Sequence, residues 1–458
     1  MHHPLARAAT WGLLLAGAIG CRPAPPSRAA TPAVRPSSSA APRAPSTVAF
    51  DAIRAARRTL VVDGHIDLPY RLRRAIDGGV PVDVALRAVV DGTSKGDFDW
   101  PRAHAGGLDA PFMSIYVPAS YQAQGGAKDV ADGLIDLVEQ LARLAPDKFV
   151  VATSVADVRK AFAAGKVALP LGIENGAALE GNPNHLVHFH RRGVRYITLT
   201  HSEDNALCDS SYADTHIHNG LSDLGRQVVR QMNALGIMVD VSHISDDAFW
   251  QVMDVARAPV IASHSSARHF TPGFERNIAD DMIARVAEGG GVVMINYGST
   301  FLTREARAWS DAYYEARTRH ATQLGLGVDH PKVKAFAEAY RKENPLPRAN
   351  VTDVADHIER VIEIAGIEHV GLGSDYDGVG DTLPEGLEDP SRLPNLFAEL
   401  HRRGYDEAAL AGIAGENLLR VWSAVEAYAQ TIRTPSTQTP STQTPSTGAA
   451  APRGATIR

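Results

Sequence analysis

The stretch LVVDGHID, residues 60–67, begins as an apolar, β-branched run and ends in two titratable side chains. A short run of this kind, bounded by turn or polar residues, predicts a buried strand. Because side chains on a strand repeat every two residues, His65 and Asp67 are expected on the same face. The stretch therefore predicts a strand that delivers a histidine and a carboxylate to one place.

Seven further runs of the same kind follow along the chain, separated by amphipathic helical stretches such as residues 130–145 and 223–236. Strand then helix, eight times over, predicts an α/β fold of the (β/α)8 or TIM-barrel type. The seven runs are FMSIYV (112–117), ALPLGIEN (168–175), VRYITLTH (194–201), GIMVDVSH (236–243), PVIASHSS (259–266), GVVMINYG (291–298) and HVGLGSDYDG (369–378).

The longest connection joins the seventh and eighth runs at residues 299–366, and its composition is helical. We expect this insertion to cap the barrel or to mediate dimerisation. The loops after the second and seventh runs, near Tyr116 and Tyr297, are expected to shape the substrate pocket. Tyr297 is a candidate substrate-binding residue.

Titratable side chains stand at or near the C-terminal ends of six of the eight runs. Barrel active sites form at that end, because the strand ends converge there and the loops above can vary. Burying so many such groups together is costly unless cations or hydrogen bonds compensate them. The pattern therefore predicts a metal site built from His65, Asp67, Glu174, His201, His243, His264 and Asp375.

The residue types indicate which metal such a site would take. Glu174 has two oxygens and is able to bridge two ions, while His243 and His264 end adjacent strands and could complete the second ion. Nitrogen and oxygen ligands without thiolate suit Zn²⁺, with Mn²⁺ or Co²⁺ as substitutes. The two cysteines, Cys21 and Cys208, predict neither a disulfide framework nor a zinc finger.

Several other residues resemble site residues but are predicted to be structural. His216 and His218 lie in a polar loop, and Asp377 lies in a turn beyond the eighth run. Asp63 precedes a glycine and is expected to support the fold. Cys208 has no neighbouring base in the sequence, which argues against a nucleophile.

Six motifs, in order and spacing, resemble the membrane (renal) dipeptidase family, binuclear zinc peptidases related to the amidohydrolase barrels. The resemblance covers about residues 52–425, and its motifs are DGHIDLP, LGIENG, YITLTH, VDVSH, SHSSAR and GLGSDYDG.

The resemblance implies a role for each site residue. His65 and Asp67 would bind the first zinc, Glu174 would bridge both zincs, and His243 and His264 would bind the second. His201 would contact the substrate, and Asp375 would act as the acid and base. Arg276 would pair with the substrate carboxylate, with Arg268 as the competing candidate because the loop before Arg276 departs from the mammalian pattern.

The chemistry that the resemblance implies is hydrolysis of dipeptides by a hydroxide that bridges the two metals, with a D-residue accepted on the C-terminal side. A homodimer is the habit of the family, but Cys208 would lack a disulfide partner once Cys21 is acylated. Two other functions remain open. Related barrel hydrolases, such as lactonases, phosphotriesterases and cyclic-amide hydrolases, typically open with HxH and a carboxylated lysine, so HID and Glu174 disfavour them. A lipoprotein that binds solute or metal without turnover would be favoured by a missing ligand, and none is missing.

Charge excludes a nucleic acid as the partner. Residues 1–48 carry five arginines, residues 429–458 carry three, and neither end has a carboxylate. Without them, the 46 basic residues fall to 38 against 52 acidic ones, a formal charge of −14 for residues 49–428. Such a body repels a polyphosphate backbone.

Both ends of the chain differ in composition from the body. Residues 1–21 are typical of an export signal, and AIGC at 18–21 resembles the lipobox at which bacterial lipoproteins are cleaved and acylated, here on Cys21. Residues 22–48 form a Pro/Ala/Ser tether and residues 429–458 a TPSTQ-repeat tail, both predicted to be disordered. The barrel is expected over 49–428, in the cell envelope, with a plain secreted or periplasmic protein as the alternative and a lipid anchor as its only link to the membrane.

Overall fold

The computed structural model describes residues 50–433, and eight of its strands close into a parallel barrel in the order β1-β10-β9-β8-β7-β6-β5-β2. The predicted (β/α)8 fold is confirmed. The strands are β1 (Val61–Ile66), β2 (Leu108–Tyr116), β3 (Phe149–Val151), β4 (Val167–Leu169), β5 (Leu171–Glu174), β6 (Val194–Thr198), β7 (Met238–Asp240), β8 (Ile261–Ala262), β9 (Val292–Ile295) and β10 (Val370–Leu372).

Helices surround the barrel, and the two predicted at residues 130–145 and 223–236 are α6 and α9. The helices are α1 (Ala52–Arg58), α2 (Leu68–Asp77), α3 (Val82–Asp91), α4 (Trp100–Gly106), α5 (Tyr121–Gln124), α6 (Ala127–Leu144), α7 (Val155–Ala163), α8 (Asn184–Arg191), α9 (Asp223–Leu235), α10 (Asp246–Val255), α11 (Asp280–Glu288), α12 (Ser299–Leu302), α13 (Arg304–Leu324), α14 (Pro331–Glu343), α15 (Val351–Ala365), α16 (Leu393–Arg402), α17 (Glu407–Ala411) and α18 (Asn417–Arg433).

The strand predicted at residues 168–175 is divided into two strands in the structure. The run 168–175 is divided at Pro170, so that its first residues belong to β4 and its remainder forms β5. Strand β4 pairs with β3 in a separate two-stranded parallel sheet. Proline cannot donate to a ladder, and it therefore separates the two segments.

An irregularity in β1 turns His65 toward the barrel axis. Asp63 pairs with Pro111 and Ile66 pairs with Met113, so one extra residue of β1 stands against β2. A bulge of this kind shifts the alternation of side chains. Val62 packs in the inner cluster, and His65, three residues later, also reaches the interior.

Large side chains fill the barrel beneath the strand ends, and glycine makes room for them. The Tyr196 ring packs against Phe112 at 5.2 Å between centroids, and Phe112 packs against Trp422 of α18 at 5.3 Å. A Cβ atom on Gly172 would lie 2.0 Å from the Tyr196 ring. The interior is therefore a packed core rather than a channel.

Helix α18 continues to Arg433, so the folded body extends past the predicted limit at residue 428. The predicted signal, lipobox and tether, and the remainder of the tail, lie outside the described residues. Within 50–433, none of the helices combines the length and the apolar character that a membrane-spanning segment needs.

The insertion between β9 and β10 contains a helical hairpin, α13 and α14, followed by α15. Arg341 of α14 forms an ion pair with Asp381, in the loop after β10. Arg348 donates hydrogen bonds to the carbonyls of Asp381 and Leu383 at 2.7 and 3.0 Å. These contacts hold the hairpin over the mouth of the barrel, as the capping alternative predicts, while dimerisation stays a prediction.

Helix α15 connects two loops at that mouth through His357. Its Nδ1 accepts a hydrogen bond from the Ala267 amide at 2.9 Å, and its Nε2 donates one to the Leu302 carbonyl at 2.9 Å. Burial lowers the pKa of His357 to about 4. The imidazole is therefore neutral and serves as a structural bridge.

Candidate metal centre and active site

The side chains predicted to bind metal converge at the C-terminal ends of the barrel strands. These side chains form three overlapping groups, and within each group the ligand atoms lie within 4.8 Å of one another. The groups are His65 with Glu174 and His264, Glu174 with His201 and His243, and His65 with Asp67 and Asp375. The structure thus brings all seven together, but it does not separate them into the predicted pairs, since His65 lies with His264.

Glu174, the last residue of β5, stands at the middle of this cluster. One carboxylate oxygen lies 3.3 Å from His65 Nε2, and the other lies 3.0 Å from His243 Nε2 and 3.4 Å from His264 Nε2. Burial by itself raises the pKa of Glu174, but His65 and His201 hold it well below its usual value. An ionised carboxylate with one oxygen toward each side has the geometry of a bridging ligand.

Hydrogen bonds beneath the centre orient two of the histidines. Ser263 Oγ donates to Asp240 Oδ2 at 2.6 Å, so it accepts from His264 Nδ1, which lies 2.7 Å away. His264 Nε2 is then left with a free lone pair toward Glu174. His65 Nδ1 lies 2.8 Å from the Tyr196 hydroxyl, which leaves its Nε2 toward Asp67 and Glu174. Metal-binding histidines commonly have such partners on the other ring nitrogen.

The donor set fits divalent metal. His65 Nε2 and Asp67 Oδ1 are buried and find no hydrogen-bond partner within the described residues. Burial lowers the pKa of His243 and of His264 well below the usual value, which keeps both imidazoles neutral as metal ligands must be. Burial also lowers the pKa of His65, but Tyr196, Glu174 and Asp67 raise it well above its usual value. The cluster therefore favours positive charge at its centre.

Backbone strain marks two of the positions. His243 has a φ of 70° and Asp375 a φ of 62°, in the left-handed region that favours glycine. Each follows a barrel strand and turns its side chain into the mouth. Residues held in this region cost free energy and concentrate at functional sites.

Asp375 is buried beside the cluster and accepts a hydrogen bond from Asn296 Nδ2 at 2.8 Å. Burial, together with the nearby Asp67 carboxylate, raises the pKa of Asp375 to about 8. A Cβ atom on Gly378 would lie 2.0 Å from Asp375 Oδ1 and 2.2 Å from Asp67 Oδ2. The glycine lets the chain pass close to both carboxylates.

His201 follows β6 and is the most exposed histidine of the cluster. Its ring packs against Tyr116 at 4.7 Å and against His243 at 4.3 Å between centroids. Burial lowers the pKa of His201, so its imidazole is neutral. Its side chain lines the cavity above the centre, where it can reach a bound molecule.

The two candidate arginines occupy different places. Arg276 is buried and lines the cavity, where its Nη2 lies 2.9 Å from His243 Nε2 and its Nη1 donates to Ser265 Oγ at 2.8 Å. Both terminal nitrogens of Arg268 instead donate to Asp246 at 2.6 Å, and its Nε donates to the Asn277 carbonyl. Arg276 is therefore the arginine that a substrate would meet.

A cavity of about 750 Å³ opens above the centre. Its inner wall is formed by barrel residues and its outer wall by the inserted hairpin. The lining residues include Asp67, Tyr116, Glu174, His201, Tyr212, His243, Arg276, Phe301, Arg307, Trp309, Tyr313, Arg317, Arg341, Asp375 and Asp381.

A protein-family model, that of the membrane dipeptidases (peptidase family M19), matches residues 51–436. The chain belongs to the membrane dipeptidase family. An uncharacterized dipeptidase of Schizosaccharomyces pombe is 32% identical over 387 residues, 82% of this chain and 83% of that protein. The predicted resemblance is thereby confirmed, and the chain is a metallo-dipeptidase of this family.

Solved structures of peptidases resemble this fold. A probable dipeptidase, PvdM, of Pseudomonas aeruginosa superposes with a TM-score of 0.69 at 25% identity, covering 82% of this chain and 98% of that one. A metallo peptidase of Rhodobacter sphaeroides, liganded with a phosphinate mimic of the dipeptide L-Ala-D-Ala, has a TM-score of 0.65 at 26% identity, covering 80% and 99%.

The structure does not bring one predicted substrate contact of this dipeptidase, Tyr297, to the cavity lining. Tyr297 is fully buried, and its ring packs edge-on against Tyr376 at 6.0 Å between centroids. Its hydroxyl has no hydrogen-bond partner among residues 50–433 and lies outside the cavity. Tyr116, on the neighbouring side of the barrel mouth, does line the cavity as expected.

Most residues predicted to be structural lie away from the cavity, but Asp377 lines it and also pairs with Arg71 at 3.1 Å. His216 and His218 lie in a loop, where the His218 Nε2 contacts the Asn205 carbonyl at 2.8 Å. Asp63 accepts hydrogen bonds from the His65 and Ser374 amides at 2.9 and 3.0 Å, which joins β1 to the loop that carries Asp375. Cys208 is buried and free, and burial raises its pKa well above the usual value.

No sequence motif marks the residues that orient the site residues through hydrogen bonds. Asp240 and Tyr196 lie inside strand runs and look like strand residues, while Asn296 lies just past β9 in a run counted as apolar. The hairpin side chains that line the cavity carry no motif at all. Only Asp240 offered a signal, since a carboxylate in the middle of an apolar run must find buried donors.

Proposed function

We propose that this dipeptidase is zinc-dependent and holds two ions, with Glu174 between them. His65 and Asp67 would serve one ion, and His243 and His264 the other. The observation that carries the proposal is the central position of Glu174, whose two oxygens face His65 on one side and the later histidines on the other. Mn²⁺ or Co²⁺ would be substitutes, because the donor set contains only nitrogen and oxygen.

When bound, such ions supply Lewis-acid chemistry, lowering the pKa of bound water to about 7 and polarising a carbonyl. Side chains of the protein would transfer the proton, stabilise the developing negative charge and bind the substrate. Asp375, held by Asn296 at 2.8 Å, would take the proton from the attacking water and pass it to the leaving amine. Its raised pKa is the property that an acid and base at neutral pH requires.

His201 would donate a hydrogen bond to the oxygen that becomes negative as the peptide carbonyl is attacked. Its neutral imidazole lines the cavity and packs against Tyr116, which fixes the orientation of the ring. One such donor contributes about 3 to 4 kcal/mol to stabilisation of the transition state in other acyl-transfer enzymes.

Arg276 would bind the free carboxylate at the C-terminus of the substrate. Its guanidinium is buried next to His243, and its Nε has no partner within the described part of the chain. A fork of donors at that depth pairs with a carboxylate in a bidentate manner. Because a longer peptide would place an uncharged amide there, the contact would limit the enzyme to dipeptides. Acceptance of a D-residue on the C-terminal side is supported by the L-Ala-D-Ala mimic in the Rhodobacter sphaeroides relative.

The test is hydrolysis of a panel of L-X-L-Y and L-X-D-Y dipeptides by the purified protein, with bound metal counted in the same sample. We expect about two zinc ions per chain and cleavage that a chelator abolishes. Two ions without cleavage of any dipeptide would contradict the substrate class and favour another hydrolytic reaction on the same barrel. A protein that cleaves dipeptides without metal would contradict the metal site.

We further propose that the protein is exported and anchored in the bacterial cell envelope through a lipid on Cys21. The support is the apolar run that ends in AIGC at residues 18–21 and the Pro-rich stretch that follows. Mass spectrometry of the mature N-terminus should find an acylated Cys21, and a C21S variant should become soluble. An unmodified N-terminus cleaved elsewhere would support the secreted or periplasmic alternative instead.

A further inference from the structure

The outer wall of the cavity is cationic and aromatic, although the body of the protein is acidic. Helix α13 contributes Arg307, Trp309, Tyr313 and Arg317, and α14 contributes Arg341. The cavity of about 750 Å³ is in the size range of sites for drug-sized ligands and leaves room beyond a scissile peptide bond. A substrate side chain that extends into this space therefore meets guanidinium groups.

One pair of aromatic rings connects one of these guanidiniums, that of Arg307, to Arg276. The Arg276 guanidinium lies 5.4 Å from the centroid of the Phe301 ring, and the Arg307 guanidinium lies 4.4 Å from the Phe274 ring. The two rings pack against each other with centroids 5.6 Å apart. Both arginines are thus supported by one aromatic pair, on the same side of the cavity.

The ion-pair partner of Arg307 is a largely exposed carboxylate on its own helix. Its ion pair is with Asp311, one turn further along α13, whose side chain is 65% exposed while that of Arg307 is 19% exposed. An ion pair with one partner largely in solvent contributes little free energy. A guanidinium has five N–H donors, so Arg307 is able to exchange or share this partner for a second carboxylate.

We propose that Arg307 recognises an acidic side chain on the C-terminal residue of the substrate, so that dipeptides ending in Asp or Glu are the preferred class. The inference rests on the proposed function, in which Arg276 binds the C-terminal carboxylate. Since only the Phe274 and Phe301 rings separate Arg307 from Arg276, the part of the substrate that would reach Arg307 is the side chain of that same residue. A planar fork of donors suits a carboxylate and not its amide.

The experiment compares L-Ala-L-Glu with the isosteric L-Ala-L-Gln, and the pair with a D-residue at the C-terminus, in the metal-loaded full-length protein. The wild-type ratio of kcat/KM for Glu over Gln should be about tenfold or more in at least one stereochemical pair, mainly through KM, since hydrogen bonds to charged groups contribute this much. R307Q should bring that ratio down by about tenfold.

The matched control is R319Q, on the same helix. Arg319 is 60% exposed, pairs with Glu315 at 3.2 Å and lines a cleft on the outer face of α13. R319Q should keep the wild-type ratio. R307K, which keeps the charge without the fork, should show an intermediate ratio and serves if R307Q folds poorly.

The outcomes separate this inference from the proposed function. If the Gln dipeptides are cleaved but the wild-type protein shows no preference for Glu, or R307Q and R319Q give the same ratio, the role of Arg307 is wrong and the dipeptidase proposal stands. If none of the four dipeptides is cleaved by metal-loaded protein, the proposed function itself fails.

Discussion

Asp375 combines a left-handed backbone, a buried carboxylate and a hydrogen bond from Asn296 in one residue. We predict that D375N keeps its bound metal and loses about 10²- to 10⁴-fold in kcat, because an amide can neither take nor return the proton. Turnover and metal content should be measured on the same preparation. D77N is the control and should stay near wild type, because the Asp77 side chain on α2 is 58% exposed and is not part of the cavity lining. A fully active D375N enzyme would remove Asp375 from the proton transfer.

A substitution at Ser263 would test the role of the hydrogen bonds beneath the metal centre. In S263A the Nδ1 of His264 loses its acceptor, so the ring is freer to rotate or to change tautomer. We expect zinc affinity, measured by competition with a chromophoric chelator, to fall about 10- to 100-fold. T198V is the matched variant, because Thr198 donates to the same Asp240 oxygen without touching His264. Equal affinities in S263A and wild type would show that the ring needs no such support.

At the scale of elements, the bridge from α15 to the two loops gives stability a pH dependence. An unfolded histidine has a pKa of about 6.5, whereas in the fold burial lowers the pKa of His357 to about 4. Between these values the unfolded chain binds the extra proton, so the stabilisation is complete above pH 6.5 and is lost as the pH falls toward 4.

We therefore predict that the free energy of unfolding of wild type, relative to H357Q, falls by about 3 kcal/mol between pH 6.5 and 4. Taking the difference between the two proteins cancels the titration of groups that they share. Denaturant titrations at four pH values would measure it. H357F, which loses both hydrogen bonds, should be destabilised at every pH. A wild-type minus H357Q difference that stays flat would mean that His357 is protonated in the fold.

Elements were predicted well where local composition governs them and less well where a neighbour does. The eight runs were visible because apolar residues mark every strand, and the site residues because they end those runs. The division at Pro170 was readable in principle, yet the apolar residues on both sides outweighed it. The bulge in β1 was not readable, since register with β2 is a property of two strands. The burial of Tyr297 was not readable either, because a strand end alone does not say how deeply the ring is buried.

On the scale of the whole molecule, the ligands come from opposite parts of the barrel, since β1 and β5 through β8 each deliver at least one. Metal that binds the folded state alone stabilises it by mass action, by about 4 kcal/mol at a thousandfold excess over Kd. We predict that a chelator lowers the Tm by several degrees and that added zinc restores it. Differential scanning calorimetry would measure both. An unchanged Tm in protein verified to be metal-free would mean that the protein alone holds these strands in place.

The carboxylate of Asp63 accepts hydrogen bonds from the amide of Ser374, so the last strand of the barrel closes against the first. Folding of this chain thus depends on a contact of very high sequence separation, which forms late because loop closure is slow. The same closure brings Asp375 to His65 and Asp67. A chain that ends before residue 370 therefore lacks both this closure and Asp375, and it cannot cleave a dipeptide.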